Sequence, residues 1–156
     1  MEIILAENHG FCYGVKRAVE MANEAAEGKG KSYTLGPIIH NPQVVGRLES
    51  KGVSPIQEVA DIDEGTMIIR SHGVGPAIYA EAEEKGLHIL DATCPHVKKA
   101  QQDAKSVIED GMTLVILGEK NHPEVKSINL WANNKGIIIE DEESAKKLQI
   151  CLLYTS

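Results

Sequence analysis

Along this 156-residue chain the apolar pattern changes period again and again, from short strand-like runs to helical spacing, and that alternation limits the fold more than any other feature. EIILA (2–6), KSYTL (31–35), TMIIR (66–70), LHIL (87–90), MTLVIL (112–117) and GIIIE (136–140) read as strands. Helices lie between them. The first spans 14–28, with Val15, Ala18, Val19, Ala22 and Ala25 on one stripe and Gly28 at its end. Asn41 caps a second, which has Pro42 at its first position and Gly52 past its end. A third runs through AIYAEAEEK to Gly86, a fourth from Pro95 to about Gly111, and a fifth from Pro123 to about Trp131. Strands and helices that alternate in this way build right-handed βαβ units, so the expected class is α/β: mostly parallel sheets with helices on both faces. The strand, loop and helix cycle restarts near Ala92 to Pro95, which divides the chain into a first lobe (1–92) and a partial second lobe (93–150).

Composition removes several function classes. The net charge is -7 and aromatic residues make up only 4%, so the chain offers neither the basic footprint nor the stacking platform of a nucleic-acid binder. No apolar run nears the roughly 20 residues that cross a bilayer, and no signal peptide opens the chain, so the expected location is cytoplasmic, away from membranes. Cys12, Cys94 and Cys151 are far apart and form no CxxC pair. They are therefore read as structural, nucleophilic or metal-binding thiols rather than a disulfide framework.

The loop after each of the first five strands carries a soft or titratable group: Cys12 in ENHGFCYG, His40 in GPIIHNP, His72 in SHGVGP, Cys94 in DATCP, and His122 with Glu124 in GEKNHPEV. In a parallel sheet these loops share the carboxyl edge, where ligands bind. Each residue also has a plainer role. A free cysteine is often a small buried hydrophobe, a loop histidine can cap local backbone, and an acidic residue in a first helical turn is favoured by the helix dipole. Position adds weight to the chemical reading. Both thiols precede helices, whose unpaired N–H groups favour the thiolate that attacks or ligates. Gly10 and Gly14 bracket Cys12, as expected where backbone passes close to a bulky ligand. The three histidines stand beside proline or glycine, and a fixed donor set at helix starts suits an anion or phosphate. Glu124 could donate a proton with His122 as relay. His9, His88 and His96 are expected to be structural or solvent-facing, and DEES (141–144) a solvated face. There is no GxxxxGK[ST] and no GxGxxG.

ENHGFCYGVKRAV, TLGPIIHNPQVV, IIRSHGVGP, DATCPHVKKAQ and GEKNHPEV resemble, in order, the blocks of the 4-hydroxy-3-methylbut-2-enyl diphosphate reductase family (LytB type), over about residues 1–140. The resemblance implies the N-terminal half of a three-lobe α/β oxidoreductase of the non-mevalonate isoprenoid pathway. It implies a 4Fe-4S cluster held by Cys12, Cys94 and a third cysteine further along the family's chain. It assigns the substrate's diphosphate to His40 and His72, puts His122 between that anion and the hydroxyl, and makes Glu124 the proton source for the departing water. The implied reaction is a reductive dehydroxylation to isopentenyl and dimethylallyl diphosphate, with electrons from a donor such as ferredoxin or flavodoxin. Two departures stand out. KSINLWANN follows GEKNHPEV where many members have glycine, and QICLLYTS matches nothing in the family, CLLYTS resembling a translated sequencing-library adapter. Residues 151–156 are therefore expected to be a non-native tail and Cys151 not to be the missing ligand, so that this length of chain holds neither a stable cluster nor substrate well. Two other readings stay open: a zinc or thiol enzyme using Cys12, Cys94 and a histidine, and an α/β module whose histidines hold a phosphorylated metabolite while the thiols are inert.

Overall fold

The structure, a computed structural model, describes residues 2–7, 9–28 and 30–148. Four short strands, β1 (Ser32–Leu35), β2 (Val53–Ile56), β3 (Thr66–Ile69) and β4 (His88–Asp91), make one sheet in the order β2-β1-β3-β4, parallel at every pairing. A second parallel sheet pairs β5 (Val115–Leu117) with β6 (Ile137–Ile139). The helices are α1 (Tyr13–Glu27), α2 (Pro42–Glu49), α3 (Pro76–Glu84), α4 (Pro95–Glu109), α5 (Pro123–Trp131) and α6 (Glu142–Lys146). The expected α/β class is therefore the observed one.

The larger sheet is covered on both faces, and β3 states how. Met67 and Ile69 join Val59, Ile62, Ala82 and Leu87 in one apolar cluster, while Ile68 joins Ala18, Val19 and Ala22 of α1 and Val44 and Leu48 of α2 in the other. All three β3 side chains are completely buried. Alternate residues of a strand point to opposite faces, so a strand buried on both faces must be apolar throughout. Helix starts obey the proline rule: Pro42, Pro76, Pro95 and Pro123 each open a helix, where a missing N–H costs nothing. The Asn41 side chain accepts from the N–H groups of Gln43 and Val44, as its capping role requires.

Three details depart from the sequence reading. Residues 2–6 form no strand, and Ile3, Ile4 and Leu5 are 75, 82 and 77% exposed. A strand exists only by pairing, and among the described residues this segment pairs with neither sheet. β2 was not expected, because its sequence VSPI holds Pro55; the strand sits at the sheet edge, where a proline is tolerated. DEES is solvent-facing as expected, but it also starts α6, with Asp141 and Ser144 forming a capping box. Cys151 and the tail at 151–156 lie outside the described residues.

The turn into β3 depends on Gly65, whose φ is +121° and whose missing side chain would run into the Lys31 carbonyl oxygen. Thr66 N–H donates to that same oxygen at 2.9 Å, tying the starts of β1 and β3 together. Gly65→Ala is expected to lower stability by about 1–3 kcal/mol, read as a lower urea midpoint at unchanged slope; an unmoved midpoint would show that the turn accepts a side chain.

Candidate active site

Cys94 closes the short loop after β4 and is the N-cap of α4. Cys12 is the N-cap of α1. Both behave alike locally. Each carbonyl accepts the first helical N–H at 2.9 Å, from Lys16 and Lys98 respectively, and neither thiol caps its own helix. The thiols are thus left for something else.

Position 14 sets Cys94 against α1. A Cβ on Gly14 would lie 2.5 Å from Cys94 Sγ and 3.0 Å from Cys94 Cβ, so the Cys94 side chain rests directly on the first turn of α1, two residues from Cys12. Gly14 was expected to make room for a ligand; the close neighbour it accommodates is the second thiol. Gly10, the other bracket, has a positive φ of 106° and nothing near it. Arg17, one turn into α1, donates to the carbonyls of Thr93 at 3.2 Å and Asp91 at 3.3 Å, which fastens the helix to the loop that carries Cys94. That loop is held from its other side by Asp91. Its carboxylate accepts from Thr93 N–H, from Tyr79 OH and from Lys98 Nζ, the last at 2.6 Å. Burial works against the Asp91 charge, but the hydrogen bonds from Lys98 and Thr93 outweigh it and hold the carboxyl below its ordinary pKa. Arg17 and this Asp91 network were not picked out from sequence, because lysine, arginine and aspartate near a helix start usually read as solvated surface.

The histidines converge as expected. Ring centroids of His40 and His72 are 4.7 Å apart, those of His72 and His122 5.8 Å, and those of His40 and His122 6.5 Å. Their loops follow β1, β3 and β5, so two sheets contribute. Gly73 provides the junction: at φ +71° it packs where a side chain would strike Gln101, Thr93 and Ser127, from α4, the Cys94 loop and α5. Gln101 in turn donates to Ser127 Oγ, both being buried. Cys94 N–H donates to Ser71 O at 2.9 Å, so the thiol loop and the His72 loop are stitched side by side.

His122 has both the plain role and a chemical one. Its Nδ1 accepts from Glu124 N–H at 3.3 Å, capping α5. A neutral imidazole that accepts at Nδ1 carries its proton on Nε2, which becomes the donor for a guest. Glu124 is half-buried in the first turn of the same helix. His72 is held neutral: burial first, then the charges of His40, Arg70 and His122, lower its pKa from 6.5 to about 4, and its Nδ1 is buried without a partner. His9, by contrast, bonds Ala6 O at 2.8 Å, and His88 and His96 are exposed, as expected. Among the described residues no three His, Cys, Asp or Glu side chains gather tightly enough to hold a metal ion, so the zinc set of Cys12, Cys94 and a histidine is not assembled. No described helix is long and apolar enough to cross a membrane.

The family model described as LytB protein matches residues 3–155, reaching beyond the five motifs. The chain belongs to the LytB family. Relatives named 4-hydroxy-3-methylbut-2-enyl diphosphate reductase include those of Geobacter metallireducens, 51% identical over 148 residues, and Caldanaerobacter subterraneus, 47% identical over 153; each alignment covers 95% of this chain and 52% or 53% of the relative. Two solved structures are similar to this LytB-family chain. One, titled as that reductase, the terminal enzyme of the non-mevalonate pathway, has a TM-score of 0.80 at 47% identity, over 93% of this chain and 53% of its own. The other, the corresponding reductase from Plasmodium falciparum, has a TM-score of 0.88 at 32% identity, over 93% of this chain and 46% of its own. The chain spans about half the length of the curated relatives it matches.

The state of His72 ties stability to pH. Neutral in the fold and ordinary when unfolded, it contributes stability that is complete above pH 6.5 and is lost as the pH falls toward about 4, where the unfolded chain holds a proton that the folded chain refuses. Urea midpoints measured from pH 7 to pH 5 are expected to fall less in His72→Gln than in the parent. Parallel declines would show that His72 is not the strained group.

Proposed function

We propose that this chain is the N-terminal half of an enzyme that reductively removes the hydroxyl of 4-hydroxy-3-methylbut-2-enyl diphosphate, giving isopentenyl and dimethylallyl diphosphate. The observations that support the reading are two N-cap cysteines whose thiols cap nothing and three imidazoles whose rings lie within 6.5 Å of one another, the Cys94 loop being bonded to the loop of His72. The donor set suits a 4Fe-4S cluster: Cys12 and Cys94 are soft, uncommitted ligands, Cys94 packing on Gly14 two residues from Cys12, and they would hold two of its irons. A third thiolate would come from outside the described residues. Such a cluster supplies, when bound, reducing electrons and a Lewis-acidic iron.

The chain's own residues account for the rest of the chemistry. His40 and His72 hold the diphosphate, and His122 donates from Nε2 between that anion and the hydroxyl end. An anion reverses the electrostatics at His72: a proton that the empty site disfavours there becomes favourable beside a diphosphate. Glu124 delivers the proton that lets the hydroxyl leave as water. The balance is two electrons and two protons in, one water out, with the second proton ending on the allylic carbon. The electrons come from a donor such as ferredoxin or flavodoxin, and the location is cytoplasmic. Residues 1–92 would form the first lobe and 93–150 part of the second, with 151–156 a non-native tail.

Anaerobic reconstitution with iron and sulfide tests the reading. The 156-residue chain is expected not to retain a stoichiometric cluster, and the chain restored to full family length is expected to retain one. In that longer protein Cys12→Ser or Cys94→Ser should abolish cluster and turnover together. Glu124→Gln should keep the cluster and slow turnover by about 10²–10⁴-fold. Turnover that survives loss of either thiol, or a stoichiometric EPR-active cluster on the short chain, would overturn it.

A further inference from the structure

A cavity of about 340 Å³ opens between the end of β1, the 70–75 loop and the first turns of α5. Arg70 and Lys126 line it together with the amides of Gln57 and Asn121 and the apolar side chains of Ile78 and Leu130. Among the described residues no carboxylate and no histidine lines it, in a chain with 23 acidic residues. Residues on both sides of His72 and of His122 contribute to the lining while the two histidines do not. The same two loops thus serve the histidine cluster and a separate cavity.

The cations there have no internal purpose. Among the described residues neither Arg70 nor Lys126 forms an ion pair or a side-chain hydrogen bond, although Asp91, Asp103, Glu109, Glu142 and Glu143 all hold lysines elsewhere. Arg70 Nε is sealed from solvent without a partner, and burial lowers the guanidinium's pKa. Leaving a charged donor dry and unpaired costs free energy that a structural arginine would not incur. Its position is nevertheless fixed. Nη1 lies 2.9 Å from where a Cβ on Gly36 would stand, so the guanidinium is laid across that glycine, whose φ is +70°. A guanidinium with no protein partner among the described residues is available to an anion, and it matches phosphoryl oxygens two at a time.

We propose that this cavity is a second anion site, separate from the histidine cluster, which takes a phosphorylated small molecule carrying a short apolar group. Two cations match a dianionic phosphoryl group, Gln57 and Asn121 supply orienting amides, and Ile78 with Leu130 covers the hydrocarbon. The volume lies at the lower end of small-molecule sites, which admits a compact ligand only. The inference does not rest on the redox reading, since it uses neither thiol.

The test titrates the uniformly ¹⁵N-labelled 156-residue chain with n-butyl phosphate and with inorganic phosphate, following the Arg70 Nε–Hε signal and the backbone amides of 73–75, 121–122 and 124–127. Saturable shifts at both places are expected, with butyl phosphate binding several-fold more tightly than inorganic phosphate. Lys126→Gln, a change at an exposed side chain, should weaken binding about tenfold, which corresponds to 1.4 kcal/mol. Arg70→Gln should abolish it, Arg70→Lys should retain a weaker form, and His40→Gln should leave it intact. Equal binding by Lys126→Gln and the parent would overturn the proposal even if Arg70→Gln failed to fold. Loss of all the shifts in His40→Gln would also overturn it, because the anion would then be sitting among the histidines alone.

Discussion

The absence of a side chain at position 14 is the constraint on which the site depends. Cys94 Sγ occupies the space that a methyl group there would need, and so a thiol from the end of β4 rests on the first turn of α1, two residues from Cys12, which stands 82 positions earlier than Cys94 in the chain. Arg17 then closes the contact from the helix side by binding the Asp91 and Thr93 carbonyls. A packed core resists sub-ångström adjustment, so a close backbone approach of this kind fixes a distance rather than merely permitting it. What is fixed is where the Cys94 sulfur sits against the helix that begins at Cys12.

The second feature of the rim is stored electrostatic tension. His72 sits between His40, His122 and Arg70 and is kept neutral at a pH where a free imidazole would begin to charge. Among the described residues its buried Nδ1 and the Nε of Arg70 have no partner. Arrangements of this sort lower the stability of the empty fold and are found where a ligand completes them. The compensation lies elsewhere, in the fully buried Met67, Ile68 and Ile69 of β3 and in the Asn41 cap and Asp91 network, which hold the loops in place whatever occupies them.

Much of this was legible in the sequence because each level of pattern agreed with the next. Period switching gave β1, β3 to β6 and the first five helices, proline at helix starts gave three of their boundaries, and the strand-end positions of His40, His72, Cys94 and His122 gave their convergence. The failures have physical causes. EIILA has the composition of a strand, but composition supplies no partner, and among the described residues the segment has none. VSPI lacks that composition, yet an edge position excuses Pro55. Cys12 therefore reaches the rim through α1 packing on Cys94 rather than from the tip of a strand of its own. Arg17, Arg70 and the reason for Gly14 were illegible for a different reason: each acts on a residue or carbonyl distant in sequence, and no local spacing encodes that.

The adjacency of the two thiols can be measured directly, without metal or substrate. A trivalent monoarsenical binds two cysteines at once only if their sulfurs can reach a single arsenic atom, and it binds one thiol weakly. In the native, reduced chain phenylarsine oxide should label with one-to-one stoichiometry and resist displacement by a monothiol, and Cys12→Ser or Cys94→Ser should each remove that resistance while Cys151→Ser leaves it unchanged. If the native chain binds the arsenical no better than either single variant does, the sulfurs do not meet across Gly14 and the account of the site fails at its base.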